Sequence, residues 1–365
     1  MEKNTANRVD YLLWTSVVLL VVVGLIMNLS TSYITSVYKY NNGFYFFQKH
    51  LFYSLAGFVL MIILSFINYK ILKKVVFVAF TFSFICLVLV LVAGHGSHGA
   101  KRWLGVGPLN FQPVEIAKYA IVLFLANYYT KHKDAASTWR KGILLPSIFI
   151  APMLLLILKQ PNYSAIMLLS AAIFFMMLVA GVKIKHLVYT ACSVVPVLIS
   201  VLLSGKYRAD RVQTFLDPFK DVGGEGYQVV QSFLAFHSGG FWGTGLGGSI
   251  QKLNYLPEAH NDFIFSIIVE ENGFIGAFIV VGLFFFLIYR GMRIAIKCQD
   301  DFARLLAFGI TALIACQAIV NFCVVTGLGP ATGVPLPFIS YGGTALIIFL
   351  GSVGVLLNIS RGIEK

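Results

Sequence analysis

Ten apolar runs, each long enough to cross a bilayer's hydrocarbon core as a helix, follow one another along this chain. They lie near residues 11–29, 47–67, 75–93, 114–130, 143–158, 163–182, 186–204, 263–289, 304–327 and 343–360. In lipid, every backbone N–H and C=O needs a partner within the protein, so such runs fold as helices. The expected fold is an all-α integral membrane protein with ten transmembrane helices, a single polytopic domain over residues 1–365. Composition points the same way: 58% of residues are hydrophobic and 12% charged, unlike a soluble domain. The first run lacks a small-residue cleavage site and reads as an uncleaved span, not a signal peptide.

Lysine and arginine set the orientation. With both termini in the cytoplasm, the inward segments carry 17 of the 28 basic residues, the short outward loops 4 and the long outward loop 5. The net charge of +13 then reads mostly as anchoring to anionic lipid at the inner leaflet. Nucleic-acid binding would want a basic, aromatic-bearing soluble face, and the sequence offers none. The five cysteines fall in spans or on the inner side, so no disulfide framework is implied. No phosphate-binding loop, H-E-x-x-H or G-x-S-x-G motif occurs, which removes support for nucleotide-driven or zinc-hydrolase chemistry.

The long outward loop, residues 205–261 between spans seven and eight, is too extended for a connector. Six of the fifteen acids lie between its start and Asp262. Asp262 opens the eighth span, where a carboxylate is costly unless it is solvated, paired or used. It is placed to cap that helix and to serve a polar outward site. Glu115 and Lys118, in the first turn of the fourth span after Gln112 and Pro113, share one helix face. They read as a self-neutralising pair, as the lining of a polar cavity, or as both. Lys101-Arg102-Trp103 suits either an interfacial anchor or a phosphate site. His95 and His98 lack a third ligand, so they are weak evidence for metal. Residues 227–236 have the spacing of an interfacial or re-entrant helix. Residues 332–343, with two prolines and three glycines, cannot be regular helix and read as a wall of the same cavity.

Together these motifs resemble the SEDS family (shape, elongation, division and sporulation), the group of FtsW, RodA and SpoVE. The resemblance rests on Ala100-Lys-Arg-Trp103, Phe111-Gln-Pro-Val-Glu-Ile-Ala-Lys118, Arg208 and Arg211 before Phe215-Leu-Asp-Pro218, Leu256-Pro-Glu-Ala-His-Asn-Asp-Phe-Ile-Phe265 and Pro335-Leu-Pro-Phe-Ile-Ser-Tyr-Gly-Gly343, in that order. Ala259 is closer to the division and sporulation branch than to the RodA branch. Departures are Asn261 for the usual Thr, Val114 for Ser, Asn162 for an acid and Thr344-Ala345 for Ser-Ser.

The resemblance implies a peptidoglycan glycosyltransferase in the bacterial cytoplasmic membrane, polymerising lipid II at its outer face with undecaprenyl pyrophosphate leaving and the anomeric centre inverted. It implies Asp262 as the catalytic carboxylate. Glu115, Lys118, Lys101, Arg102, Arg208, Arg211, Gln112, His260, Glu258 and Ser340 are the candidate substrate-binding or cavity residues. A divalent cation, Mg or Mn, is a candidate cofactor, and no nucleotide is expected. Expected partners are lipid II, a class B penicillin-binding protein transpeptidase, other division or sporulation proteins and membrane lipids, with no nucleic acid. A lipid II flippase is the alternative, since broken helices suit transport. The one-sided placement of charge and the absence of a visible inverted repeat weigh against it. A non-enzymatic scaffold is a third reading.

Overall fold

The computed structural model describes residues 9–96, 101–106, 109–203, 214–224 and 226–363. It is predominantly helical, and every expected apolar run falls in a helix. The first three are α1 (Tyr11–Tyr40), α2 (Tyr45–Phe66) and α3 (Lys70–Ala93). A short antiparallel hairpin, β1 (Leu104–Val106) with β2 (Leu109–Phe111), leads into α4 (Pro113–Lys131). Then come α5 (Leu145–Lys159), α6 (Tyr163–Val179), α7 (Ile184–Leu203) and α8 (Tyr227–Gly239). The chain closes with α9 (Ile264–Lys297), α10 (Asp301–Val325) and α11 (Thr344–Ser360). Among the described residues, six helical stretches are long and apolar enough to cross a membrane: α1, α2, α3, α5 with its preceding turn, α9 and α10. Helices α6 and α11 are shorter and apolar. The chain is a multi-pass membrane protein.

Local chemistry fixes several helix ends. Asp10 accepts from the Leu13 amide at 3.0 Å and Asp300 from the Ala303 amide at 3.0 Å, each satisfying an orphan N–H of a first turn. Pro113 occupies the first turn of α4, where its missing N–H costs nothing. Helix α1 runs eleven residues past its expected end and stops where Asn41 turns left-handed, at φ 52°.

Helix α10 is the hub. Two-thirds of its apolar stretch is buried, against 22% for α9, and it packs on α4, α6, α9 and α11. Helices α2 and α11 approach closely because a Cβ on Gly354 would lie 2.4 Å from the Met61 carbonyl oxygen. Ion pairs mark the two ends of the bundle. At one end Arg290 grips Asp10, with Nε 3.0 Å from Oδ2. At the other, Lys252 meets Glu271 at 2.6 Å, with Ser30 of α1 beside them. Asp10 and Ser30 are about 30 Å apart along α1, close to the hydrocarbon thickness of about 30 Å.

Candidate active site

Asp262 lies immediately before the kinked helix α9. The cap position is Phe263, one residue later, and the Asp262 main chain has an anchorage of its own. Its main-chain carbonyl accepts a 2.7 Å hydrogen bond from the Asn321 amide group. The same amide nitrogen donates to the Val334 carbonyl at 2.7 Å. Asn321, fully buried on α10, therefore ties the Asp262 turn to the irregular stretch before α11. Gly333 takes φ +64°, and a Cβ there would sit 3.6 Å from the Asp262 carboxylate, so this wall meets the carboxylate as backbone. Asp262 itself is 9% exposed.

One turn earlier on α10, Gln317 does the matching job. Its side-chain oxygen accepts from Lys118 Nζ at 2.8 Å, and its nitrogen donates to the Pro335 carbonyl at 3.1 Å. Lys118 also pairs with Glu115 at 2.7 Å. Both are buried, as a self-neutralising pair requires. A lysine so enclosed needs its counter-charge, since an unpaired ammonium would be severely destabilising there.

The remaining candidates divide. His260 lies beside Asp262, its carbonyl accepting from the Tyr341 amide at 3.0 Å and its ring 4.9 Å from that of Phe46. Burial lowers its pKa below the usual imidazole value, against the upward pull of Glu258. Ser340 is buried and accepts from the Leu336 amide at 2.8 Å, closing a turn of the 335–343 wall. Gln112 contributes its carbonyl to the first turn of α4. Glu258 is exposed and accepts from the Asn261 side-chain amide. Arg102 donates to the carbonyls of Gln160 (3.2 Å) and Pro161 (2.5 Å), so it braces the α5–α6 turn. Lys101 is exposed and its ammonium donates to the Val92 carbonyl at the end of α3, at 3.4 Å. Arg208 and Arg211 lie outside the described residues. A small separate pocket, bounded by Phe215, Pro218, Gly327 and Pro330, has no titratable group among its lining residues.

Asn162, where the family pattern has an acid, caps α6 by accepting from the Ala165 amide at 3.3 Å. Asn and Asp cap about equally well. Asn162→Asp is therefore expected to change stability by less than about 0.5 kcal/mol and Asn162→Ala to cost about 1 kcal/mol, read as shifts in thermal unfolding in detergent. Equal loss in both variants would remove the cap as the reason for this residue.

Sequence reasoning missed a second polar cluster. Glu270 and Glu271 are both buried. The Glu270 carboxylate accepts from Ser238 Oγ (3.2 Å), the Ile250 amide (2.9 Å) and Ser249 Oγ. Glu271 accepts from Ser30 Oγ (2.7 Å) and pairs with Lys252. The loop backbone joins in: the amides of Thr244 and Gly245 donate at 2.9 Å to the carbonyls of Glu270 and Glu271. This contact explains the glycine run. A Cβ on Gly239 would lie 2.2 Å from the Val269 carbonyl, and Gly273, at φ +66°, kinks α9 against Phe241. The residues that carry Asp262 into α9 are thus clamped by the long loop. The sequence signal was present as two adjacent acids two turns inside an apolar helix.

The family model for cell cycle proteins of the FtsW, RodA and SpoVE type matches residues 10–365. A probable peptidoglycan glycosyltransferase FtsW of Trichlorobacter lovleyi is 40% identical over 357 residues, 97% of this chain and 94% of that one. Stage V sporulation protein E of Bacillus subtilis is 37% identical, over 96% of this chain and 97% of that protein. Among solved structures, a chain from a peptidoglycan synthase complex that coordinates polymerization and crosslinking matches with TM-score 0.81 and 29% identity, covering 97% of this chain and 98% of that one. The rod shape determining protein RodA of Thermus thermophilus matches with TM-score 0.72 and 25% identity, covering 98% of each chain.

Proposed function

This chain belongs to the FtsW, RodA and SpoVE family of cell cycle proteins, and from that premise we propose that it is a peptidoglycan glycosyltransferase that polymerises lipid II in division or sporulation. The chain crosses the cytoplasmic membrane ten times, with the Asp10 end inside and the Asp262 end at the outer face. The excess of Lys and Arg at the Asp10 end supports this orientation.

The observation that carries the reading is the pinning of Asp262: a buried carboxylate held through its main chain by Asn321, on the helix whose Gln317 holds Lys118 and Glu115. A general base works when it is fixed within reach of the proton it takes and partly desolvated. Asp262 removes the proton from the acceptor sugar's 4-hydroxyl as that oxygen bonds to the donor's anomeric carbon. The bond from that carbon to the pyrophosphate oxygen breaks, and undecaprenyl pyrophosphate leaves with the electron pair. The cations proposed to offset the leaving charge are Lys118, which would have to share its charge with Glu115, and the exposed Lys101. No cluster of three or more His, Cys, Asp or Glu suited to a metal occurs among the described residues. A divalent cation, if bound, would supply positive charge to the leaving pyrophosphate. A class B penicillin-binding protein is the proposed partner, supported by the likeness to a chain of a synthase complex.

Lipid II supplied to proteoliposomes separates the readings. Glycan polymer is the expected product; lipid II crossing the bilayer without polymer indicates a flippase, and neither outcome leaves a scaffold.

A further inference from the structure

We propose that the aromatic rings at the tip of the α1–α2 hairpin form a carbohydrate subsite that holds the growing glycan strand beside Asp262, an inference that rests on the polymerase reading. Tyr40 and Tyr45 lie face to face, with centroids 3.7 Å and planes 18° apart. Tyr45 meets Phe46 edge-on at 5.5 Å, and Phe46 lies 4.9 Å from the His260 ring. His260 is two residues before Asp262. The rings therefore make a continuous path from the hairpin tip to the residues flanking the carboxylate.

The tip is open to a ligand. Tyr38 is 78% and Tyr40 46% exposed. Its chemistry suits a sugar polymer. Flat ring faces pack on the C–H faces of pyranoses, while the exposed amides of Asn41 and Asn42 match sugar hydroxyls. No acid occurs between Asp10 and Glu115. Lys39 is exposed and Lys49 donates to the Tyr45 hydroxyl at 2.6 Å, so the hairpin itself is basic, with Glu258 as the acid near His260, and it suits a strand bearing acidic stem peptides. Tyrosines also gather at membrane interfaces. An interfacial belt, however, has no need of rings in mutual contact that lead to the residues beside one carboxylate. A polymerase does need such a holder, because a strand released after each addition cannot grow long.

The test compares strand lengths on gels after lipid II polymerisation by the full chain in proteoliposomes with its transpeptidase partner. Tyr38→Ser with Tyr40→Ser is expected to shorten the mean strand about fivefold, a larger factor than its effect on the initial rate of lipid II consumption. Tyr38→Phe with Tyr40→Phe, which keeps both rings, is expected to restore length. Wild-type lengths in the serine variant overturn the subsite, and so does an equal fall in length and initial rate, which is the result expected of a membrane belt. If the double serine variant fails to insert, Tyr40→Ser alone is read by the same criteria. A wild-type chain that makes no polymer fails the polymerase reading instead, a distinct result.

Discussion

Asp262→Asn is expected to lower lipid II polymerisation by about 10²–10⁴-fold, the contribution of a positioned general base. The amide keeps the shape of the carboxylate and cannot take the proton. The substitution should leave the fold intact, because Asn321 holds Asp262 through its main-chain carbonyl at 2.7 Å, a bond that any side chain at this position retains. Initial rates in proteoliposomes, with thermal unfolding measured on the same preparations, check both halves. Near-normal glycan synthesis by a folded variant would take Asp262 out of the chemistry. A loss of activity matched by a large drop in unfolding temperature would instead assign it a structural role.

Lys252→Met is expected to destabilise the protein by about 3–5 kcal/mol, the usual consequence of stranding one partner of a buried ion pair. Glu271 is 1% exposed, and without Lys252 its charge keeps, among the described residues, the Ser30 hydroxyl. Adding Glu271→Leu should recover most of the loss, because an apolar pair of similar volume removes the uncompensated charge. Thermal unfolding of the two single variants and the double variant in detergent reads the coupling. Additive losses would show that the pair contributes little as a pair. The effect should extend to activity, because residues 264–272 run from Asp262 to this clamp and Glu270 binds the loop within the same turn.

The fold was largely legible in the sequence because lipid allows so few solutions. Apolar length located every long helix, Pro113 marked the start of α4, and the prolines and glycines before α11 announced irregular backbone. The Glu115–Lys118 pair was legible because both partners lie on one helix face. Gln317 and Asn321 were not, because their partners are far away in sequence: Lys118 and Gln317 are 199 residues apart, and no periodicity records such a pairing. The bracing by Arg102 was not legible for a related reason. Its bonds go to backbone carbonyls, which leave no trace in residue identity. Helix α1 overran its expected end because a polar stretch with helix-compatible residues continued it to Asn41.

The grip of Gln317 and Asn321 has a consequence for how such a site can drift over generations. Both side chains hold main-chain carbonyls, those of Asp262, Val334 and Pro335. Any residue at positions 334 or 335 that preserves the chain path offers the same oxygen. The wall around the carboxylate can then accept new side chains, and with them altered contacts to substrate, while its geometry is inherited unchanged. The two amides on α10 have no such latitude, because an aliphatic side chain at either position donates nothing and releases a carbonyl at the site.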